Sequence, residues 1–99
     1  MSFDSRLKSA ELDMLYEAVL SLETIEECYR FFEDLGTIAE MNSLAQRLQV
    51  AKMLQDDETY IAIAEKTGAG TATISRVKKC LNYGADGYKI ALSRLENKK

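Results

Sequence analysis

Apolar residues recur at helical spacing in successive segments of the chain, and the elements they predict are all helices. Leu7, Met14, Ala18 and Leu22 mark a first helix from about Asp4 to Leu22, with Asp4 or Ser5 as its cap. Leu12, Leu15 and Val19 widen its apolar face, so it needs cover on more than one side. Thr24-Ile25-Glu26-Glu27 has the form of a capping box, a threonine with a glutamate three residues on. Behind it, Ile25, Cys28, Tyr29, Phe32 and Leu35 form a stripe that ends at Gly36, expected at C′. The aromatics of this stripe read as core. Thr37-Ile38-Ala39-Glu40 repeats the capping signature, and helix is expected from there to about Gln55, with Met41 or Asn42 as the place for a break. Ile38, Met41, Leu44, Ala45, Leu48, Ala51 and Leu54 mark its expected buried side, with Val50 and Met53 off it. Asp56, Asp57 and Glu58 close the segment. Acid is unfavourable at a helix C-terminus, so these residues are assigned to the start of the next helix.

The stretch from Tyr60 to Lys79, YIAIAEKTGAGTATISRVKK, reads as a helix-turn-helix. Ala64 falls where the two helices come closest and a small side chain is needed. Gly68 follows four residues later, at a turn expected to require positive φ. Ile74 and Val77 are three apart on the second helix and can both face the first, where Ile63 is their apolar partner. Thr59 is the expected cap of the first helix, and Thr71 or Thr73 of the second. An ordinary helical hairpin would account for the glycine, but not for five spaced positions. After Leu81, the segment Asn82-Tyr83-Gly84-Ala85-Asp86-Gly87 breaks the helix. Tyr88, Ala91, Leu92 and Leu95 predict a last one, with Glu96 to Lys99 fraying.

With 99 residues, 46% apolar composition, no proline and sparse glycine, the chain is expected to be one all-α domain, 1–99, of about six helices. The net charge of −3 is an average of unlike parts. Residues 1–69 carry a net −8 and residues 70–99 a net +5. Phosphate contact is local, so the basic third is the part that matters for nucleic acid. The polar faces of the second helix carry Thr71, Ala72, Thr73, Ser75, Arg76, Lys78 and Lys79. Short side chains at its start suit base edges, Ala72 suits a thymine methyl, and the cations suit phosphates. The wide apolar faces exceed what a chain of this size can hide, and homodimerisation answers that excess. Two recognition helices about 34 Å apart would then read a palindrome.

GAGTATISR, residues 68–76, closely resembles the helix-turn-helix of the Trp repressor, and LGTIAEMNSLAQRLQVAKML resembles the central helix region of that superfamily. The wider likeness, over roughly Leu15 to Leu95, is to the YerC/YecD group of Trp-repressor-like proteins. It implies an intertwined homodimer built from the N-terminal, central and last helices. It also implies where an effector would sit. In the Trp repressor the indole lies between two arginines, one aligned with Arg76, the other matched by Arg47 or, one residue away, by Gln46. A glycine follows the first arginine there; here it is Val77. A serine three beyond is matched by Cys80, a weak hydrogen-bonding substitute. Val77 would fill the space of the ring, so L-tryptophan is not expected as corepressor.

The function that follows is a sequence-specific, DNA-binding transcriptional regulator acting on double-stranded DNA as a homodimer. The alternative is a helix-turn-helix reused for protein–protein interaction. An enzyme is disfavoured. The chain has no histidine, neither Cys28 nor Cys80 has an evident general base, and residues 68–70 are too short for a phosphate cradle. No metal or cofactor is expected, and no apolar run reads as a signal peptide or a membrane span. A reducing cytoplasm, with both cysteines as free thiols, is the expected setting.

Overall fold

The computed structural model describes residues 3–98 and contains six α-helices and no strand among them. They are α1 (Ala10–Ser21), α2 (Ile25–Leu35), α3 (Ile38–Gln55), α4 (Tyr60–Thr67), α5 (Thr71–Tyr83) and α6 (Gly87–Asn97). The chain divides into two compact units, one up to Ile38 and the other from Ala39 onward.

In the first unit, α1 begins at Ala10 rather than near Asp4. Residues 5–8 instead form a turn in which the Leu7 N–H donates to Ser5 Oγ (3.0 Å). Ser9 then takes an extended conformation and its Oγ accepts the Leu12 N–H at 3.1 Å. Leu7 therefore lies outside the helix. Lys8 and Asp13 pair across its start. The α2 cap is the expected one, Thr24 Oγ1 accepting from the Glu27 N–H at 3.1 Å. Glu27 returns the contact one residue further out, accepting from the Glu23 N–H at 2.8 Å. Gly36 ends α2 as its C-cap, in extended backbone (φ −121°), and not at the C′ position expected of it. Its N–H still reaches Phe32 O (3.0 Å), so the helix closes without a reversal. Phe31 and Phe32 meet edge to face at 5.3 Å. No residue of α1 or α2 is buried, and Cys28 is only half-buried.

The second unit has one core: Val50, Ala51 and Met53 of α3, Ile63 of α4, Ala69 in the turn, Ile74, Val77 and Leu81 of α5, and Leu92 of α6. This corrects the expected facing of α3. Of the expected set, Ala51 is buried and Leu54 packs against the core, but Val50 and Met53 are buried too, whereas Ile38, Leu44, Ala45 and Leu48 are exposed and Met41 is half-buried. The helix is apolar on two opposite sides. At 100° per residue, Val50, Met53 and Leu54 centre on one line, and Met41, Leu44, Ala45 and Leu48 lie roughly half a turn away. Periodicity finds both stripes and cannot say which one α4, α5 and α6 cover. No break interrupts α3 at Met41 or Asn42.

The acidic turn after α3 also differs from expectation. Asp57 is left-handed (φ 61°), with the Asp57 N–H donating to Leu54 O and the Glu58 N–H to Met53 O, both at 3.1 Å. Together these bonds make a Schellman closure with aspartate where glycine is usual. Asp56 returns to Lys52 at 2.7 Å, a bond that raises the lysine pKa above its ordinary value. Glu58 reaches Lys66 at 3.4 Å. The acids thus close α3 and pair with lysines, and only Thr59 caps α4.

Candidate nucleic-acid interface

The motif is built from α4, a three-residue turn and α5. Thr59 Oγ1 accepts the Ala62 N–H at 3.1 Å, the expected cap. Gly68 has φ 74°, and its N–H donates to Ala64 O at 2.9 Å, so the left-handed turn expected there is present. A side chain at Gly68 would be strained by the backbone and not by crowding, since an added Cβ would meet nothing nearer than Gln46 Nε2 at 4.0 Å. Ile63, Ile74 and Val77 are all at most 1% exposed, and Ala64 packs against them. The five motif positions therefore lie where their spacing put them.

The cap of α5 does not. Gly70, in extended backbone, occupies that place and brings no side-chain acceptor, so Thr71 and Thr73 lie inside the helix. The first amides of α5 consequently carry no side-chain cap. A Cβ at Gly70 would touch nothing within 4 Å, so a partner surface can approach the backbone closely at that point.

Burying Ile74, Val77 and Leu81 turns the rest of α5 outward. Thr71, Ala72, Ser75, Arg76, Lys78, Lys79 and Cys80 are exposed, while Thr73 is half-buried at the edge of the core. Five of the six polar candidates thus share one open surface with Ala72, and Thr73 stands at its border. Lys78 Nζ sits 5.7 Å from the centre of the Tyr60 ring, at the side of the surface next to α4. The ring is half-buried but Lys78 itself is exposed, so the cation is held weakly and can be drawn off by a phosphate. The surface is cationic with short hydroxyls at its N-terminal end, a composition for meeting a polyanion and not for general acid–base chemistry.

The candidate effector residues lie on two helices, α3 and α5. Arg76 and Cys80 are neighbours one turn apart on α5, both exposed. Arg47 is half-buried on α3, with Nη2 3.5 Å from Ser43 Oγ. Among the described residues, no hydrogen bond or ion pair joins Arg47 to Arg76 or Cys80. Val77, 1% exposed, fills the α4–α5 interface. Gln46, the other candidate for the central-helix position, donates from Nε2 to Thr67 O at 3.0 Å. No spacing in the sequence points to this bond, because Gln46 lies four residues before Val50 and seven before Met53, on the stripe of α3 that periodicity cannot identify as the covered one.

Among the described residues there is no cluster of potential metal ligands, and no helix is long and apolar enough to cross a membrane.

The family model described as Trp repressor protein matches residues 10–96. The uncharacterized protein YerC of Bacillus subtilis (strain 168) is 59% identical over 91 residues, which cover 92% of this chain and 88% of YerC. Two crystal structures are similar throughout. A candidate Trp repressor from Staphylococcus aureus is 53% identical with a TM-score of 0.88, over 92% of this chain and 91% of that one. A TrpR-like protein from Eubacterium eligens ATCC 27750 is 55% identical with a TM-score of 0.89, over 92% and 94% of the two chains.

Proposed function

The chain belongs to the Trp repressor family of helix-turn-helix regulators, and from its exposed surface we propose that it is a sequence-specific DNA-binding transcriptional regulator. The observation that carries this reading is α5. Its apolar side is committed to the core, and Thr71, Ala72, Ser75, Arg76, Lys78 and Lys79 are exposed together. Thr71, Ala72 and Ser75 meet base edges, each worth roughly 1–3 kcal/mol of preference. Lys78 and Lys79 meet phosphates; Arg76 serves either role. Selection of bound sites from random duplex DNA, followed by affinity measurements at several salt concentrations, tests the reading. Enrichment of a palindrome is expected. Binding that ignores both sequence and salt would favour the protein-interaction alternative.

The regulator acts as a homodimer, each protomer a single domain. Leu20, Ile25 and Ile38 are each more than three-quarters exposed in the isolated chain, and Met14, Leu44 and Leu48 are exposed as well. Within the second unit, an open groove of about 490 Å³ between α3 and α6, lined by Ala45, Leu48, Leu92 and Leu95, adds further uncovered apolar surface. A monomer rarely leaves so much of it in water. Sedimentation at micromolar concentration should give twice the 11.1 kDa chain mass. The melting temperature should rise with protein concentration, because folding and association are linked. A well-folded species of one chain mass would rule the dimer out.

DNA binding does not depend on tryptophan. Val77 is buried at the position where the resemblance to the Trp repressor implies a glycine, and making room for an indole would mean displacing a core side chain. Calorimetric titration with L-tryptophan is expected to give no saturable heat at millimolar ligand. Specific micromolar binding, or a DNA affinity that climbs with tryptophan, would show that Val77 leaves the pocket open.

A further inference from the structure

Besides the core that Val50, Ala51 and Met53 share with Ile63, Ile74 and Val77, the reading head is attached to α3 at both ends of α4. At the first end the attachment is the chain itself, the closed turn of Asp56, Asp57 and Glu58. At the far end, about 12 Å along the helix, it is a side chain. Gln46 Nε2 donates to the carbonyl of Thr67, a residue 21 positions away in sequence, at 3.0 Å in a partly buried place. Thr67 is the last residue of α4, so its carbonyl has no partner within the helix and lies at the negative end of the helix dipole. The same residue shapes the turn that follows. Thr67 Oγ1 donates to Ile63 O at 2.7 Å and accepts the Ala69 N–H at 3.1 Å. Gly68, with its positive φ, comes next.

We propose that Gln46 is a positioning residue for DNA reading: a latch between α3 and the α4–α5 turn that holds the recognition helix at its working angle without a small-molecule effector. This rests on the DNA-binding function proposed above. Without the latch, the core that Val50, Ala51 and Met53 of α3 share with Ile63, Ile74 and Val77 still seats α4 and α5, but the turn end of α4 loses its polar anchor and can shift about that core and the turn at 56–58. A pivot there leaves Lys78 and Lys79 free to find phosphates and moves Thr71, Ala72 and Ser75 off the base edges. Specific affinity falls, and non-specific affinity does not. Val77 makes the same point from the other side, since the space between α4 and α5 is filled by the chain's own side chain.

The test uses the full-length protein and three variants. Gln46→Ala removes the donor. Gln46→Glu keeps the size but turns an acceptor toward an acceptor carbonyl. Gln46→Arg restores a donor of sufficient reach. The ratio of affinities for the selected site and for an unrelated duplex is read at several salt concentrations. Amide exchange is read at Gly68 and Ala69, beside the latch, and at Ile63 and Ile74, in the core. In Gln46→Ala and Gln46→Glu the ratio should fall about tenfold with the salt slope unchanged. Exchange should quicken at Gly68 and Ala69 and stay slow at Ile63 and Ile74. Gln46→Arg should recover most of the ratio. An unchanged ratio in Gln46→Ala would overturn the proposal, as would equal losses on both duplexes with all four amides deprotected. If the parent protein bound no duplex, the DNA-binding reading would fall instead. The latch would then stand or fall on the exchange pattern alone.

Discussion

Ile63→Ala should cost about 2–5 kcal/mol of stability, whereas Ile61→Ala, two residues away on the same helix, should cost under about 0.5 kcal/mol. The two isoleucines share a helix, a side-chain type and an intrinsic propensity. They differ in what surrounds them. Ile63 is fully buried against Ile74 and Val77, at the centre of the packing that joins α4 to the recognition helix. Ile61 points outward and is 74% exposed. Truncating Ile63 removes apolar contact and leaves a cavity that two helices cannot collapse to fill. For a chain of this size the loss amounts to a large fraction of the total stability, and a fall in melting temperature of about 10 °C or more should accompany it. Denaturant unfolding followed by circular dichroism, at one fixed protein concentration so that association does not vary, gives both values. Equal costs at the two positions would show either that Ile61 is covered in the assembled protein or that Ile63 is not the centre of the motif.

The same local geometry explains why this part of the molecule was legible in the sequence. The spacing of Ala64, Gly68, Ile74 and Val77 is dictated by two helices meeting at a short turn, and each position has a physical requirement that few residue types meet. Thr59 and Thr24 were readable for a similar reason, because a capping side chain bonds an amide three residues away and nothing remote competes. Where several local solutions were open, the sequence did not choose between them. Asp4, Ser5 and Ser9 can all cap, and the turn made by Ser5 settled the start of α1 at Ala10. Gly36 and Asp57 show the converse case: the glycine takes an ordinary extended conformation and the aspartate takes the left-handed one. Aspartate tolerates that region, so a search for glycine alone passes over it. The facing of α3 was beyond periodicity altogether. A helix with two apolar sides declares that both want cover, and only the placement of α4, α5 and α6 identifies Val50 and Met53 as the side covered within the chain. The side left open, around Leu44 and Leu48, is the one the sequence took for core. Both readings hold if a second copy supplies the missing cover.

Replacing Lys78 and Lys79 together by Ala should flatten the salt dependence of DNA binding more than any other pair of changes in the protein. Each cation that neutralises a phosphate adds about 0.9 to the slope of log affinity against log salt. Two such residues in each protomer of a dimer make four contacts, so the slope should fall by about 3.6. Between 50 and 200 mM salt, that difference is about 150-fold in how steeply the parent and the variant weaken. The loss should be the same on the selected site and on an unrelated duplex, since phosphates carry no base identity. Ser75→Ala should behave in the opposite way, leaving the slope intact and shifting the preference among sites by roughly 1–3 kcal/mol. The single variants separate the two lysines. Lys79 is exposed and has no ring beneath it, whereas Lys78 lies 5.7 Å from the Tyr60 ring and must leave it to reach a phosphate. Lys79→Ala should therefore take about 1.8 from the dimer's slope. Lys78→Ala should take less if the cation remains over the ring, and as much if the phosphate draws it away. Titration of labelled duplex at four or more salt concentrations reads all of these slopes. A double variant that bound as tightly as the parent, with the same slope, would remove Lys78 and Lys79 from the interface and leave Arg76 as the remaining exposed cation on the recognition helix.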